Sequence, residues 1–516
     1  MSDRSATASV RRLAAILLAG TCLSPAAATG QTWNGTTTDF NRTQNWSPNP
    51  PGGPPAAGGT AIFANTGVTF IDLQSTNATL QFNNNAQAYT FDAGFDTHIV
   101  GIVNNSPIVQ RFNVSEDLQF EAGSAANSII ALGGSSVVVF NGTSDAGTAT
   151  IGGSAGNFVA VLGSATLANA TVTLGGTGTV LFRESSTGGQ ATITLNGSAK
   201  IQVEVDGAGT TIGSLASSST ASTVQLGAKQ LTVGDGNSTT FAGGISGAGG
   251  SLVKQGGGTL ILTGANTYTG GTTAGGGALQ IGDGTTQGTI VGVVTVNGNL
   301  DLTNANTAGI TSIVTNNGGA TRLFGTTTAG TASLTVESGG YLAFNGNSTA
   351  AGASLQINDG GQTDFVESSS AASSHLTITG ATSSLTFRDN STAASATVNA
   401  SNGATVQFGE QASADHASIT ADGASTTVTF FGSSSAANAT FTAKNGGSVD
   451  FVETATAASA SLTLNSGGST TFFNTATADS AHLTVSSGGS IGFQDSSTAG
   501  GATLTNGGST IFFNTS

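Results

Sequence analysis

Acidic side chains recur in this chain at intervals that would let them act together. Glu184, Glu367, Asp389, Glu410, Glu453 and Asp495 each follow a phenylalanine by two residues, and Asn474 holds the same place after Phe472. If successive intervals stack, Glu367, Asp389 and Glu410 lie about 5 Å apart, close enough for mutual repulsion and for a divalent cation to bridge them. A calcium ladder is the chemistry such a row offers. The alternative is a solvated corner whose carboxylates are screened by salt. It is preferred here, because calcium needs several converging oxygens and the GGxGxDxUx calcium repeat is absent.

Other chemistries find less. His375 and His482 share one repeat position but stand five intervals apart, roughly 24 Å at the spacing of stacked strands, so they cannot share a metal ion. His416 at a corner and His98 on its own read as exposed polar side chains. Ser251 and Lys254 match the SxxK of serine acyl-transferases, but that motif belongs on a helix, and here it lies in a glycine-flanked strand pattern. No glycine precedes any lysine, which excludes a phosphate loop of the GK[ST] type. Some β-helices cleave polysaccharides, and such a site needs paired acids with a base, an arginine or a metal on one face. The basic residues after the N-terminal segment are scattered from Arg42 to Lys444. No catalytic residue, cofactor or firm metal site is therefore expected, and Glu367, Asp389 and Glu410 remain a weak cation candidate.

What must position these side chains is a long-period repeat. Phe344, Phe365, Phe387, Phe408, Phe430, Phe451, Phe472 and Phe493 recur every 21 or 22 residues, and Phe512 follows at 19. That period suits one coil of a solenoid. Alanine comes six residues after each phenylalanine up to Phe493, from Ala350 to Ala499, and Leu376, Val398, Ile419, Phe441, Leu462, Leu483 and Leu504 come eleven after. Alternation around the second set predicts a strand with one face inward. In the unit Phe451 to Phe472, Ala460 to Leu464 reads as one strand, Asn465 to Gly468 as a turn and Thr470 to Phe472 as a second strand. Glycines are expected to supply the positive torsions of the corners. Phe120, Phe140, Val161, Phe182 and Val203 keep the same register earlier in the chain. The prediction is an all-β parallel β-helix from about residue 60 onward, with roughly 21 coils and a length on the order of 100 Å.

Composition agrees with a slim rod. The 516 residues include 77 glycines and one cysteine, with 12 basic against 27 acidic side chains for a net charge of −15. So few basic groups argue against nucleic acid as a partner. Arg4, Arg11 and Arg12 precede the apolar run Leu13 to Leu23, and Ala26, Ala27 and Ala28 follow, the pattern of a secretory signal peptide over residues 1–30. Cleavage there would remove Asp3, those three arginines and Cys22, leaving 9 basic and 26 acidic residues, a net charge of −17, and no disulfide.

From Phe241 to Gly284 the chain reads FAGGISGAGGSLVKQGGGTLILTGANTYTGGTTAGGGALQIGDG. This resembles the autotransporter-associated β-strand repeat, also called the passenger-associated transport repeat, with its hallmark GGTLILTGANTYTGGTT from Gly257 to Thr273. The opening TWNGTTTDFNRTQNWSPNP, with Trp33 and Trp46, is similar to the mature start of such passengers. The resemblance implies a right-handed parallel β-helix exported through a C-terminal outer-membrane β-barrel. No series of roughly ten-residue amphipathic strands occurs before Ser516, so the expectation is a fragment of a longer chain, a truncated gene, or translocation by a separate partner. The expected organisation is a signal peptide (1–30), an N-terminal cap (31–60), coils (61–240), the transport repeat (241–284) and further coils (285–516). The functional expectation is a secreted or surface-displayed structural or adhesive rod with a glycan or protein ligand. A polysaccharide-active enzyme and an inert stalk are the alternatives.

Overall fold

The computed structural model describes residues 30–48 and 53–513. The signal-peptide expectation lies outside them. The described chain is a parallel β-solenoid of about 22 turns with ~21-residue coils, and no α-helix occurs among the described residues.

One coil shows why this sequence winds as it does. Ser461–Leu464 and Ser469–Phe472 are its two strands, each alternating outward and inward. Leu462, Leu464, Thr470 and Phe472 point inward at 0 to 1% exposure, while Ser461, Thr463, Ser469 and Thr471 face out. The register then repeats: Phe451 pairs with Phe472 and Leu462 with Leu483 in the neighbouring coils. A third side is closed by single parallel bridges that run through Ser435, Thr456 and Thr477.

The corners correct one expectation. Glycine is not the general bearer of the positive torsion: in this coil it serves only the turn between the two strands, where Gly467 has φ 78°, although Gly346 and Gly432 serve another corner in other coils. At the other two corners non-glycine residues do so, with Glu453 at φ 62° and Ala458 at φ 50°. A left-handed residue other than glycine costs roughly 1–2 kcal/mol, and local hydrogen bonds offset it. The Thr456 hydroxyl, for instance, accepts the Ala458 amide at 2.9 Å. Ala457 between them is fully buried, because the coil is too narrow there for a larger side chain.

Stacked identical residues form the core. The rings from Phe344 to Phe512 lie 4.4 to 5.0 Å apart and within 12° of parallel at every step. Each such pair adds about 0.5–1.5 kcal/mol beyond its buried area.

The N-terminal coils are less regular. Gly30–Trp33 pairs parallel with Thr60–Phe63, so the first rung of the solenoid lies within the segment expected to be a cap. Trp33, Phe40, Trp46 and Phe63 plug that end at no more than 1% exposure. Both indoles are hydrogen-bonded, Trp33 to the Val68 carbonyl and Trp46 to the Phe40 carbonyl. Val137, Val139, Ala160, Leu162 and Leu181 form a second apolar cluster, separate from the core, with Phe158 against them.

The sheets change over in mid-chain. Two eight-stranded sheets end at Ser214–Ala216 and Gly244–Ser246, while a 15-stranded and a 14-stranded sheet begin at Gly209–Ile212 and Thr239–Phe241. The transport-repeat segment follows this seam directly.

Candidate functional site

The acidic row has a definite geometry. Glu367, Asp389 and Glu410 sit on successive coils, each with positive φ, and that conformation turns the backbone N–H along the rod axis. The next coil's side chain meets it. The Gly346 amide donates to Glu367 Oε2 at 2.5 Å, the Glu367 amide to Asp389 Oδ2 at 2.8 Å, and the Asp389 amide to Glu410 Oε2 at 3.0 Å. Gly432 interrupts the row, having no side chain to reach back. It resumes with the Gly432 amide on Glu453, the Glu453 amide on Asn474 and the Asn474 amide on Asp495. Asn474 substitutes freely because the bond needs an acceptor oxygen, not a charge. The row thus satisfies corner amides. Among the described residues no group of three or more His, Cys, Asp or Glu is placed to hold a metal ion.

Ser251 and Lys254 do not meet. They lie on one strand three residues apart and therefore face opposite sides, Ser251 outward and Lys254 inward at 2% exposure. Burial pushes the Lys254 ammonium's pKa down. Its Nζ donates to the carbonyls of Gln255, Gly256 and Gly276, which makes it a brace between coils.

The neighbouring hallmark residues are braces as well. Asn266 is fully buried, accepting the Ile245 amide at 3.0 Å and donating to the Gly264 and Thr289 carbonyls. Tyr268 is buried beside Thr272, their hydroxyls 2.7 Å apart, and burial raises its pKa. A Cβ on Gly270 would stand 2.4 Å from the Gly249 carbonyl oxygen, and Gly271 has φ 92°, so each glycine of the pair is required for its own reason.

Histidine placement corrects a second expectation. His98 is not isolated: its ring lies 2.9 Å from Asp96 and 2.7 Å from Glu121, and its side chain is only 21% exposed. The hydrogen bond to Glu121 is the main reason its pKa is raised, against the opposing effect of burial. The composition offered no signal for this, since Glu121 is a coil away. His375 and His482 face outward at the same register, five strands apart in the long sheet, and His416 pairs with Asp415 at 2.6 Å.

Sequence reasoning missed a groove of about 630 Å³ on the N-terminal coils, lined by Asn41, Asp72, Gln74, Asp92, Phe95 and Asp96 among others. Asp72 and Asp92 occupy paired positions on adjacent strands, Phe70–Leu73 and Thr90–Ala93. A smaller depression of about 350 Å³ continues it past Asp92 and Ser115 to Asn113.

Comparison with known proteins adds one match. The family model described as Passenger-associated-transport-repeat matches residues 252–281. No curated protein matches the chain. The repeat match and the parallel solenoid together fit an autotransporter passenger with repeats.

Proposed function

We propose that the chain is an exported, surface-displayed passenger acting as a non-catalytic adhesive rod, carried to the cell surface by an outer-membrane translocator barrel. The observation that carries this reading is the placement of the transport repeat. Its strands from Ser251–Lys254 to Ala278–Ile281 continue in register into the long sheets on either side, so it is part of one rod. The side chains that could have suggested catalysis are engaged in holding coils together: Lys254 on carbonyls, the acidic row on amides. A rod of this kind offers extended outward faces of Ser, Thr and Asn, whose low charge leaves shape and hydrogen bonding to govern contact.

The test is display. Joined in frame ahead of an outer-membrane barrel, the chain should become accessible to antibody and added protease on intact cells. Retention inside the cell would overturn the export reading. Hydrolysis or elimination of neutral or acidic glycans by the purified chain would overturn the non-catalytic one.

A further inference from the structure

The N-terminal groove is the place where the rod departs furthest from its Ser/Thr faces. Its floor is the outward side of a sheet, where Asp72, Asp92 and Asn113 follow one another on successive coils. Each polar group is fixed by a neighbour. Thr38 Oγ1 donates to Asp72 Oδ2 at 2.8 Å, Asn113 Nδ2 to Asp92 Oδ1 at 2.8 Å, and Asn41 Nδ2 to Gln74 Oε1 at 2.6 Å. Each aspartate is held through one oxygen, so the other retains acceptor capacity. Groups held in this way lose little freedom when a ligand arrives.

At the rim stands Phe95, 75% exposed, the most exposed of the large hydrophobic side chains in the described chain. An aromatic ring left in water beside preorganised acceptors is the combination found where one ligand face is apolar and its edge carries hydroxyl donors. A sugar ring has that character: its C–H face packs on an aromatic plane, and its vicinal hydroxyls donate to carboxylate and amide oxygens. The charge of the groove narrows the class. Asp72, Asp92 and Asp96 outnumber the basic groups beside it, Arg111, whose Nε donates to Asn113 Oδ1 at 2.8 Å, and His98, paired with Asp96, so an anionic chain would be disfavoured. Its extension past Ser115 toward Asn113 gives room for more than one ring.

We infer that this groove binds a neutral oligosaccharide, with Phe95 as the stacking platform and Asp72 and Asp92 as hydroxyl acceptors. The inference names a ligand class for the adhesive role proposed above and rests on that role.

The test is titration of the full purified chain with three neutral sugars, cellohexaose, maltohexaose and N-acetylated chitohexaose, beside a cationic chitosan hexamer as control, followed calorimetrically at low and high salt. At least one of the three should bind, with little salt dependence. Phe95→Ala should weaken it about tenfold and Asp92→Asn measurably, with melting curves unchanged because Phe95 is exposed and asparagine keeps the oxygen that the Asn113 amide meets. Absence of binding by all three would overturn the inference, as would binding that survives Phe95→Ala. Binding confined to a cationic chitosan hexamer and abolished by salt would also overturn it, since that is attraction to acidic charge alone. Surface display is scored separately, so a displayed rod that ignores the sugars refutes the groove and not the export reading.

Discussion

The coils from Tyr341 to Phe493 and those from Gly30 to Ser246 share one winding but use it differently. In the first set each coil repeats the last: phenylalanine on phenylalanine, buried alanine on buried alanine and, except at Gly432, acceptor on corner amide. In the second set the same strands carry individual features, namely a tryptophan plug, an outer apolar cluster, a bracketed histidine and a groove with an exposed aromatic. Repetition satisfies the backbone and builds length. Departure from repetition is what leaves side chains to face something else.

That contrast can be broken most forcefully in the regular coils. Phe408→Ala removes ring contacts at 4.7 and 4.6 Å on its two sides and should cost about 3–5 kcal/mol. Because each coil touches chiefly its neighbours, hydrogen exchange should quicken in the adjacent coils and stay unchanged near Trp33. A loss of protection along the whole rod would show that the two regions are not separable.

A smaller effect sharpens the reading of the acidic row. Asp389→Ala strips the acceptor from the Glu367 amide and should cost about 1 kcal/mol in chemical denaturation, whereas Asp389→Asn should cost a fraction of that. Equal losses would mean that charge, and not the acceptor, is what the corner requires.

The irregular coils should differ in their response to pH. With its pKa raised above the ordinary 6.5 in the folded protein, His98 contributes stability that is full below that value and is lost as pH rises through the raised one. Protease resistance of the coils around Glu121 should therefore fall as pH rises past the ordinary histidine value, and His98→Gln should flatten the curve. A protease resistance that rises with pH would refute the assignment.

The smallest change is expected inside the regular core. Ser348, Ser369, Ser391 and Ser434 are buried with hydroxyls that have no hydrogen-bond partner, and Ala412, Ala455 and Ala476 occupy the same register. Ser391→Ala should shift stability by no more than about 0.5 kcal/mol, toward greater stability if at all, because an unsatisfied buried hydroxyl is removed. A clear loss would reveal a hidden role for that hydroxyl.

How far the sequence speaks follows the same division. The register of Phe344 to Phe493, the strand pair within each coil and the position of the acidic row were legible because period and alternation are local properties of the chain. The corner at Ala458 was not, since nothing in its residue type announces a left-handed torsion. Its cause is a hydroxyl two residues earlier and a bridge to the neighbouring coil. The role of Glu367 was half legible: its place in the stack could be read, but the amide it serves belongs to Gly346, 21 residues away. His98 and the groove escaped altogether. They depend on which coils lie side by side where the repeat is least regular, as with Asp72 against Asp92.

The coil-to-coil register also makes the rod a ruler. A duplicated unit such as Phe451 to Thr471 brings its own stacking ring, its own bridge and its own corner acceptor, so insertion leaves no bond unmade at either junction. Each such insertion would lengthen the molecule by about 4.8 Å without altering any surface elsewhere. Reach can thus change in fixed increments while the groove at the N-terminal coils stays as it is.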